Sequence, residues 1–206
     1  MNRSFEDVFV KQCAPTLAGV KPANLFRFQP EHEINTHESV SYWNQKLSRK
    51  GIRVRLLKEC KKTNSYLIMV YRRDWLSNIF SQKETQVFLK QNGYVLSDLC
   101  DSLLEQLSSR LCMDQEFPHE IGIFLGYPLC DVIGFIQNKG KNYSYNGCWK
   151  AYGDPTVAKE YSSAMKECAA LYKQKYENGI PIDQLTVSAF EDESVPCVNL
   201  QSNQMD

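Results

Sequence analysis

The sequence has no excess of charge of either sign, because 24 Lys and Arg residues balance 24 Asp and Glu residues. Proteins that bind nucleic acid or an anionic membrane surface usually carry a clear basic excess or patch, so we expect neither as a partner. Long hydrophobic runs are also missing. The longest aliphatic run is Leu67-Ile68-Met69-Val70, whereas a helix that spans a membrane needs about 20 apolar residues. We therefore expect no helix that crosses a bilayer.

Signals for export and for cross-linking are missing as well. Residues 1–10 include Glu6 and Asp7 and lack the apolar centre and small-residue cleavage site of a secretory signal, which predicts a cytoplasmic protein. None of the eight cysteines has CxxC spacing, and no compact Cys and His cluster occurs. We therefore expect free thiols and no metal site.

Nucleotide and hydrolase motifs are absent too. The chain contains no GxxxxGK[ST] phosphate loop, no GxGxxG dinucleotide fingerprint and no HExxH zinc motif, so the sequence points to no cofactor. It also shows no internal repeat and no linker-like segment before residue 179. These observations predict one domain over residues 1–190, followed by an acidic and polar tail over 191–206 that we expect to be disordered.

Strand-forming residues recur in four short segments. Residues 52–59 and 65–71 flank a polar turn and predict a β-hairpin, and residues 24–28 and 148–152 predict two further strands. Helical segments separate them without a regular β-α-β alternation. This pattern predicts an α+β fold in which a small antiparallel sheet packs one face against a helical layer. The alternating bases Arg53, Arg55 and Lys58 are typical of the solvated face of such a strand.

Helical periodicity is clearest around residue 104, where leucines repeat every three and four residues after a potential cap at Ser97 or Asp98. Further helices are predicted over residues 4–12, 37–49, 72–91 and 155–176. Residues 117–125 and 129–138 predict two short helices joined by a tight turn, which is an αα-hairpin.

The first candidate site is residues 13–19, CAPTLAG, directly after the predicted helix 4–12. Pro15 disfavours helical geometry at the residue before it and Gly19 permits a left-handed turn, so a loop is predicted. A thiol on a loop can approach a substrate, which makes Cys13 a candidate nucleophile. A free cysteine is equally a buried packing group, and both interpretations stay open.

The second candidate is residues 117–128, FPHEIGIFLGYP. Gly122 and Gly126 fall in a predicted helical region, where each glycine costs about 1 kcal/mol relative to alanine. Their presence indicates that a ligand or another helix packs closely against the backbone. His119 and Glu120 are candidates for a general base or for helix capping, although adjacent residues face different sides of a helix.

The third candidate is the basic and glycine-rich segment 138–142, NKGKN, which leads into residues 147–150, GCWK. Its composition suits either an anion or a planar ring. It is also typical of a solvated turn before an edge strand, because Gly, Asn and Lys are common turn residues.

Several of these segments together resemble an uncharacterised family of anaerobic Firmicutes that is classified as a domain of unknown function. The resemblance rests on residues 13–19, 21–26, 117–128, 131–136 and 149–152. It implies that a site shared by the family would be lined by Cys13, His119, Glu120, Gly122, Gly126, Tyr127, Trp149 and Tyr152. It also implies that Cys130 and Cys148 are poor candidates, because the family tends to have an acidic residue and an aromatic residue at those positions. It supplies no catalytic assignment.

Two functions follow as expectations. The first is a non-catalytic accessory protein that binds a small molecule or a protein partner, with redox or iron handling suggested by the anaerobic hosts of the family. The second is a thiol-dependent enzyme in which Cys13 is the nucleophile, His119 is its base, and Glu120 or Asp131 orients the imidazole.

Overall fold

The computed structural model describes residues 4–30, 35–96, 100–113 and 116–189. The helices within these residues are α1 Phe5–Leu17, α2 Thr36–Ser48, α3 Arg73–Ser81, α4 Lys83–Gln91, α5 Cys100–Met113, α6 Ile121–Phe124, α7 Leu129–Gln137, α8 Pro155–Glu177 and α9 Ile182–Leu185. The strands are β1 Ala23–Phe28, β2 Ile52–Cys60, β3 Ser65–Arg72, β4 Tyr145–Asn146 and β5 Lys150–Ala151. The predicted tail at 191–206 and the predicted cap at Ser97 or Asp98 lie outside the described residues.

The main sheet has three antiparallel strands in the order β1-β3-β2, with β3 in the centre. The predicted hairpin is present, because β2 pairs with β3 across a 3-10 turn at Lys61–Thr63. A bulge between Leu56 and Lys58 shifts the register of β2 and inserts Leu57 as an unpaired residue. The predicted α+β class is confirmed.

Helices cover both faces of this sheet, whereas the sequence predicted one covered face. Successive strand residues point to opposite faces, so Ile68 and Met69 lie in different clusters. On one face, α1, α2, α8 and α9 form what we term the first core, which includes Phe9, Leu47 and Val70. On the other face, α3 to α7 form the second core, which includes Leu104 and Tyr71. Central strand β3 is apolar on both sides, which is the pattern of a doubly covered strand.

The prediction that the basic residues of β2 face water is wrong for Arg55 and Lys58, which both contact α5. Arg55 forms ion pairs with Asp101 and Glu105 of α5, with N···O distances of 3.8 and 3.5 Å. The Lys58 ammonium donates a hydrogen bond to the carbonyl of Leu111, also on α5. A helix that carries acidic groups and open carbonyls along its edge covers this face of the strand.

Helix α1 continues through the segment that was predicted to be a loop. Its first turn is capped as expected, because the Ser4 hydroxyl accepts a hydrogen bond from the Asp7 amide at 3.1 Å. Pro15 lies inside the helix, and the residues around it, including Cys13 and Leu17, are fully buried in the first core. Packing in this core outweighs the local preference of proline for a helix end.

The predicted fourth strand does not join the main sheet. Instead β5 pairs with β4 in a separate two-stranded ribbon, where Tyr145 lies opposite Ala151. The predicted αα-hairpin is present in shortened form as α6 and α7, joined through Gly126 at a φ of 75°. Among the described residues, no helix combines the length and apolar composition that crossing a bilayer requires.

Candidate functional site

A cavity of about 410 Å³ lies between the α6–α7 pair and the β4–β5 ribbon. Its volume is within the range of small-molecule pockets, which is roughly 300 to 1,000 Å³. The apolar part of its wall comes from Ile121, Leu125 and Val132. The second and third candidate segments of the sequence, which are separated by α7, therefore converge on one pocket.

Two stacked aromatic rings form one wall of the pocket. The rings of Tyr127 and Trp149 have centroids 5.4 Å apart and planes 19° apart. Tyr161 of α8 supports the indole edge-on, with centroids 5.5 Å apart. Two neighbours thus fix the orientation of the Trp149 ring, and it offers a planar surface of the kind on which flat ligands stack.

A buried carboxylate anchors this wall from behind. Asp131 of α7 is only 4% exposed, and its Oδ2 accepts a hydrogen bond from the Trp149 indole at 2.7 Å. Its Oδ1 accepts from the backbone amides of Tyr152 and Gly153 at 2.6 and 3.0 Å. One side chain therefore holds both the indole and the residues after β5 against α7. An acidic residue in an otherwise apolar helix was the sequence signal for such a role.

Close backbone contacts at glycines set the shape of the pocket. A Cβ on Gly122 would lie 2.7 Å from Val132, so α6 packs directly on α7 there. A Cβ on Gly147 would lie 2.3 Å from the Ser162 hydroxyl, so the ribbon packs equally tightly on α8. The expectation that something packs against Gly122 is confirmed, and the neighbour is another helix.

The polar groups of the pocket include His119 and Lys150. The Lys150 ammonium donates a hydrogen bond to the carbonyl of Gly140 at 2.8 Å and lies 5.9 Å from the centroid of the Phe135 ring. The imidazole of His119 packs on the same Phe135 ring, with ring centroids 4.9 Å apart. Both nitrogen groups therefore border the Phe135 ring at the pocket wall.

A buried lysine lies beside the aromatic wall. Lys21 is almost fully buried, and its ammonium donates a hydrogen bond to the Tyr127 hydroxyl at 3.2 Å while lying 4.4 Å from the centroid of that ring. The turn between α6 and α7 packs against the residue that follows Lys21, because a Cβ on Gly126 would lie 2.5 Å from Pro22. Residues 21 and 22 thus support the pocket wall from the side of β1.

Cys13 is not part of this pocket. It is fully buried in the first core, on the opposite face of the sheet from the cluster that adjoins the pocket. Burial raises the pKa of its thiol well above the ordinary value, and the nearby Lys21 ammonium offsets only part of this effect. The structure does not bring Cys13 and His119 together, so the predicted nucleophile and base are not a pair.

Three other candidate residues support the pocket without lining it. Glu120 is buried and accepts hydrogen bonds from the Tyr94 hydroxyl at 3.1 Å and from Arg110 at 3.4 Å, so it ties α6 to α5 and does not orient His119. Gly126 forms the turn between α6 and α7. The Tyr152 ring packs on Gly134, and its hydroxyl donates to the carbonyl of Lys141.

The remaining candidates line the pocket, together with residues to which the sequence pattern assigned no binding role. Gly122, Tyr127, Trp149 and His119 line the cavity, and their part in binding stays a prediction. Cys148, which was considered a poor candidate, also borders the cavity, and Phe135 and Asn146 were not singled out. Phe135 is part of the apolar face of α7, so the sequence pattern gave it no feature beyond a core residue.

Two other cavities formed by the described residues are less suited to hold a ligand. One of about 680 Å³ is lined largely by charged and polar residues of α1, β1 and the two residues that follow β1. The other cavity is lined only by residues of α2 and the residue that follows this helix, so no second element closes it. Within the described residues, no group of three or more His, Cys, Asp or Glu side chains could hold a metal ion.

The fold and the cavity define an α+β protein with an aromatic-walled pocket beside its sheet. The model of the family described as "Protein of unknown function (DUF3793)" matches residues 9–186, and the chain belongs to this family. Comparisons with curated proteins and with solved structures found no match.

Proposed function

We propose that this chain is a cytoplasmic, non-catalytic protein that binds a small planar molecule in the pocket between α6–α7 and the β4–β5 ribbon. The observation that carries the proposal is the fixed aromatic wall, in which the Trp149 ring is stacked on Tyr127 and hydrogen-bonded to the buried Asp131. An aromatic side chain whose orientation is already fixed loses little conformational entropy when a flat ligand stacks on it.

The composition of the pocket supports this proposal. Apolar side chains such as Val132 supply most of the wall, and a few polar groups such as Lys150 and Asn146 are available to orient a ligand. This combination is typical of small-molecule sites. The thiol-enzyme alternative lacks its nucleophile at this place, because Cys13 is buried in the first core.

The suggested link to redox or iron handling remains a separate part of the proposal. It rests on the anaerobic hosts that the family resemblance implies, and the described residues offer no metal-binding cluster in its support. Absorbance spectra and metal analysis of anaerobically purified protein test it. A colourless, metal-free protein whose spectrum does not change with added haem or flavin would remove this part and leave small-molecule binding in place.

The binding proposal is tested with N-phenyl-1-naphthylamine, a neutral aromatic probe whose fluorescence rises in apolar surroundings. We expect saturable binding of one probe molecule per chain. Replacement of Trp149 by alanine removes the stacking surface and should weaken binding about tenfold, since aromatic stacking contributes roughly 1 kcal/mol beyond the buried area. Tyr42→Ala is the matched control, because Tyr42 is an exposed aromatic residue of α2 that does not border this pocket.

A second variant keeps the test decisive if Trp149→Ala is poorly folded. Cys148 is exposed and borders the cavity, so Cys148→Trp should fill the pocket while circular dichroism stays that of the parent protein. Equal probe affinity for the parent, Cys148→Trp and Trp149→Ala would show that the pocket is not the binding site.

A further inference from the structure

We infer that the molecule bound in this pocket is an anion, namely an aromatic or heteroaromatic ring that carries a carboxylate, sulfonate or phosphate group recognised by Lys150. This inference rests on the proposed binding function and adds the charge of the ligand to it. It depends on how the charged groups around the cavity are paired.

The Lys150 ammonium has spare hydrogen-bonding capacity. An ammonium group has three donors, and the hydrogen bond to the Gly140 carbonyl uses one of them. No ion pair among the described residues includes Lys150. The bond to Gly140 holds the ammonium beside the rings of Phe135 and Tyr143, at 5.9 and 5.2 Å from their centroids. A cation is thus fixed at the edge of an aromatic cavity.

The carboxylates near the cavity are, by contrast, already paired. Both oxygens of Asp131 accept hydrogen bonds from the protein itself, one from the Trp149 indole and the other from two backbone amides. Glu120 is held by Arg110 and by the Tyr94 hydroxyl. A positively charged ligand would therefore meet no free carboxylate among the residues that line the pocket, whereas a negatively charged one meets Lys150.

His119 supplies a second donor near the same ring. Its imidazole packs on Phe135, and within the described residues it forms neither a hydrogen bond nor an ion pair. A neutral imidazole carries one N–H donor in either tautomer. Phe135 therefore has an ammonium group and an imidazole as neighbours, and an acid group bound over this ring can interact with both.

The size of the cavity limits the ring system. With a volume of about 410 Å³, near the lower end of the range for small-molecule pockets, it suits a ligand of two or three aromatic rings with a single acid group. The ring then lies against the wall of Trp149 and Tyr127, and the acid group points to Lys150. Affinity comes mainly from the aromatic wall, and the preference for an anion comes from the lysine.

A pair of probes with the same ring system separates these two contributions. The anion 8-anilinonaphthalene-1-sulfonate differs from the neutral N-phenyl-1-naphthylamine by one sulfonate group. We expect the parent protein to bind the anion more tightly. Lys150→Met should weaken binding of the anion about tenfold and leave the neutral probe nearly unchanged, since a charge-assisted hydrogen bond is lost only for the anion.

Two controls assign the effect to this lysine. Lys150→Arg keeps the charge and should keep the preference for the anion. Lys62→Met removes an exposed lysine outside the pocket and should change neither affinity. Anion binding that persists in Cys148→Trp would be nonspecific and would count against the inference.

The outcomes distinguish the inference from the proposed function. If the neutral probe binds in the pocket and the anion gains nothing from Lys150, the ligand is not recognised as an anion and the binding function still stands. If neither probe responds to Cys148→Trp or to Trp149→Ala, both proposals are overturned.

Discussion

Asp131 connects separate parts of the pocket wall through its two carboxylate oxygens. Asp131→Asn keeps the shape of the side chain, but it removes the negative charge of the group that accepts these three hydrogen bonds. It also replaces one acceptor oxygen with an NH2 group, which can only donate. We expect a loss of about 1 to 3 kcal/mol in the free energy of unfolding, because at least one buried donor then loses its acceptor, and an unsatisfied buried polar group costs about that much. Urea denaturation followed by tryptophan fluorescence measures it.

Asp74→Asn is the matched control for this change, because Asp74 is an exposed acid in the first turn of α3. It should alter stability by about 0.5 kcal/mol or less. If the two variants are equally stable, Asp131 does not anchor the wall in the way its hydrogen bonds indicate.

Cys13 is the residue whose predicted role changes most in the folded chain. Its raised pKa means that less thiolate is present at neutral pH, and its burial means that a reagent reaches it only when the core opens. We expect iodoacetamide to label Cys13 more than about a hundredfold more slowly than the exposed Cys112. Labelling over a pH series, read by mass spectrometry, tests this. A Cys13 that reacts as fast as Cys112 at pH 7 would restore it as a nucleophile.

At the scale of elements, the turn between α6 and α7 determines where the pocket wall begins. Gly126 has a φ of 75°, and a Cβ there would also overlap Pro22 at 2.5 Å. Gly126→Ala should therefore lower the free energy of unfolding in two ways: by about 1 to 2 kcal/mol through left-handed backbone strain and by about a further 1 to 3 kcal/mol through overpacking. Urea unfolding measures the sum of the two losses.

Gly179→Ala separates the two costs of the previous change. Gly179 has a similar φ of 87°, but no atom lies within 4 Å of a Cβ built there. This variant should show the backbone cost alone. If Gly126→Ala and Gly179→Ala destabilise the chain equally, the contact with Pro22 yields without cost and does not fix the turn.

At the scale of the whole molecule, the two cores share one sheet, and we propose that they unfold together. Leu47 lies in the first core and Leu104 in the second, and both are fully buried. Replacement of either leucine by alanine should lower the free energy of unfolding by about 2 to 5 kcal/mol, and each variant should still unfold in a single transition. Circular dichroism and tryptophan fluorescence in urea should then coincide. Two separate transitions in either variant would indicate two units that fold independently.

The redox state of the whole chain stays a prediction from composition and spacing. We expect all eight cysteines to be reduced in the cell, because their spacing is not that of a disulfide framework. Thiol titration of denatured, anaerobically purified protein counts them directly. A count lower by four or more, which corresponds to at least two stable disulfides, would contradict the expectation.

Local patterns were sufficient for the elements and for part of the site. The hairpin of β2 and β3, the leucine stripe of α5 and the Ser4 cap follow from periodicity and from short-range hydrogen bonding, which act within a few residues. The segments 117–128 and 147–150 stood out because glycine and tryptophan are unusual in such contexts. The sequence by itself therefore determined the α+β class and two separate segments of interest.

Only the tertiary structure decided how these parts combine. Helix α1 continues through Pro15 because burial in the first core outweighs the cost of proline, and this burial removes Cys13 from any site. The ribbon of β4 and β5 leaves the main sheet because Asp131 and Ser162 hold it against α7 and α8. These contacts join residues 14 to 22 positions apart, across turns whose direction no local pattern encodes. For that reason the pocket, and the place of Lys150 within it, become visible only in the folded chain.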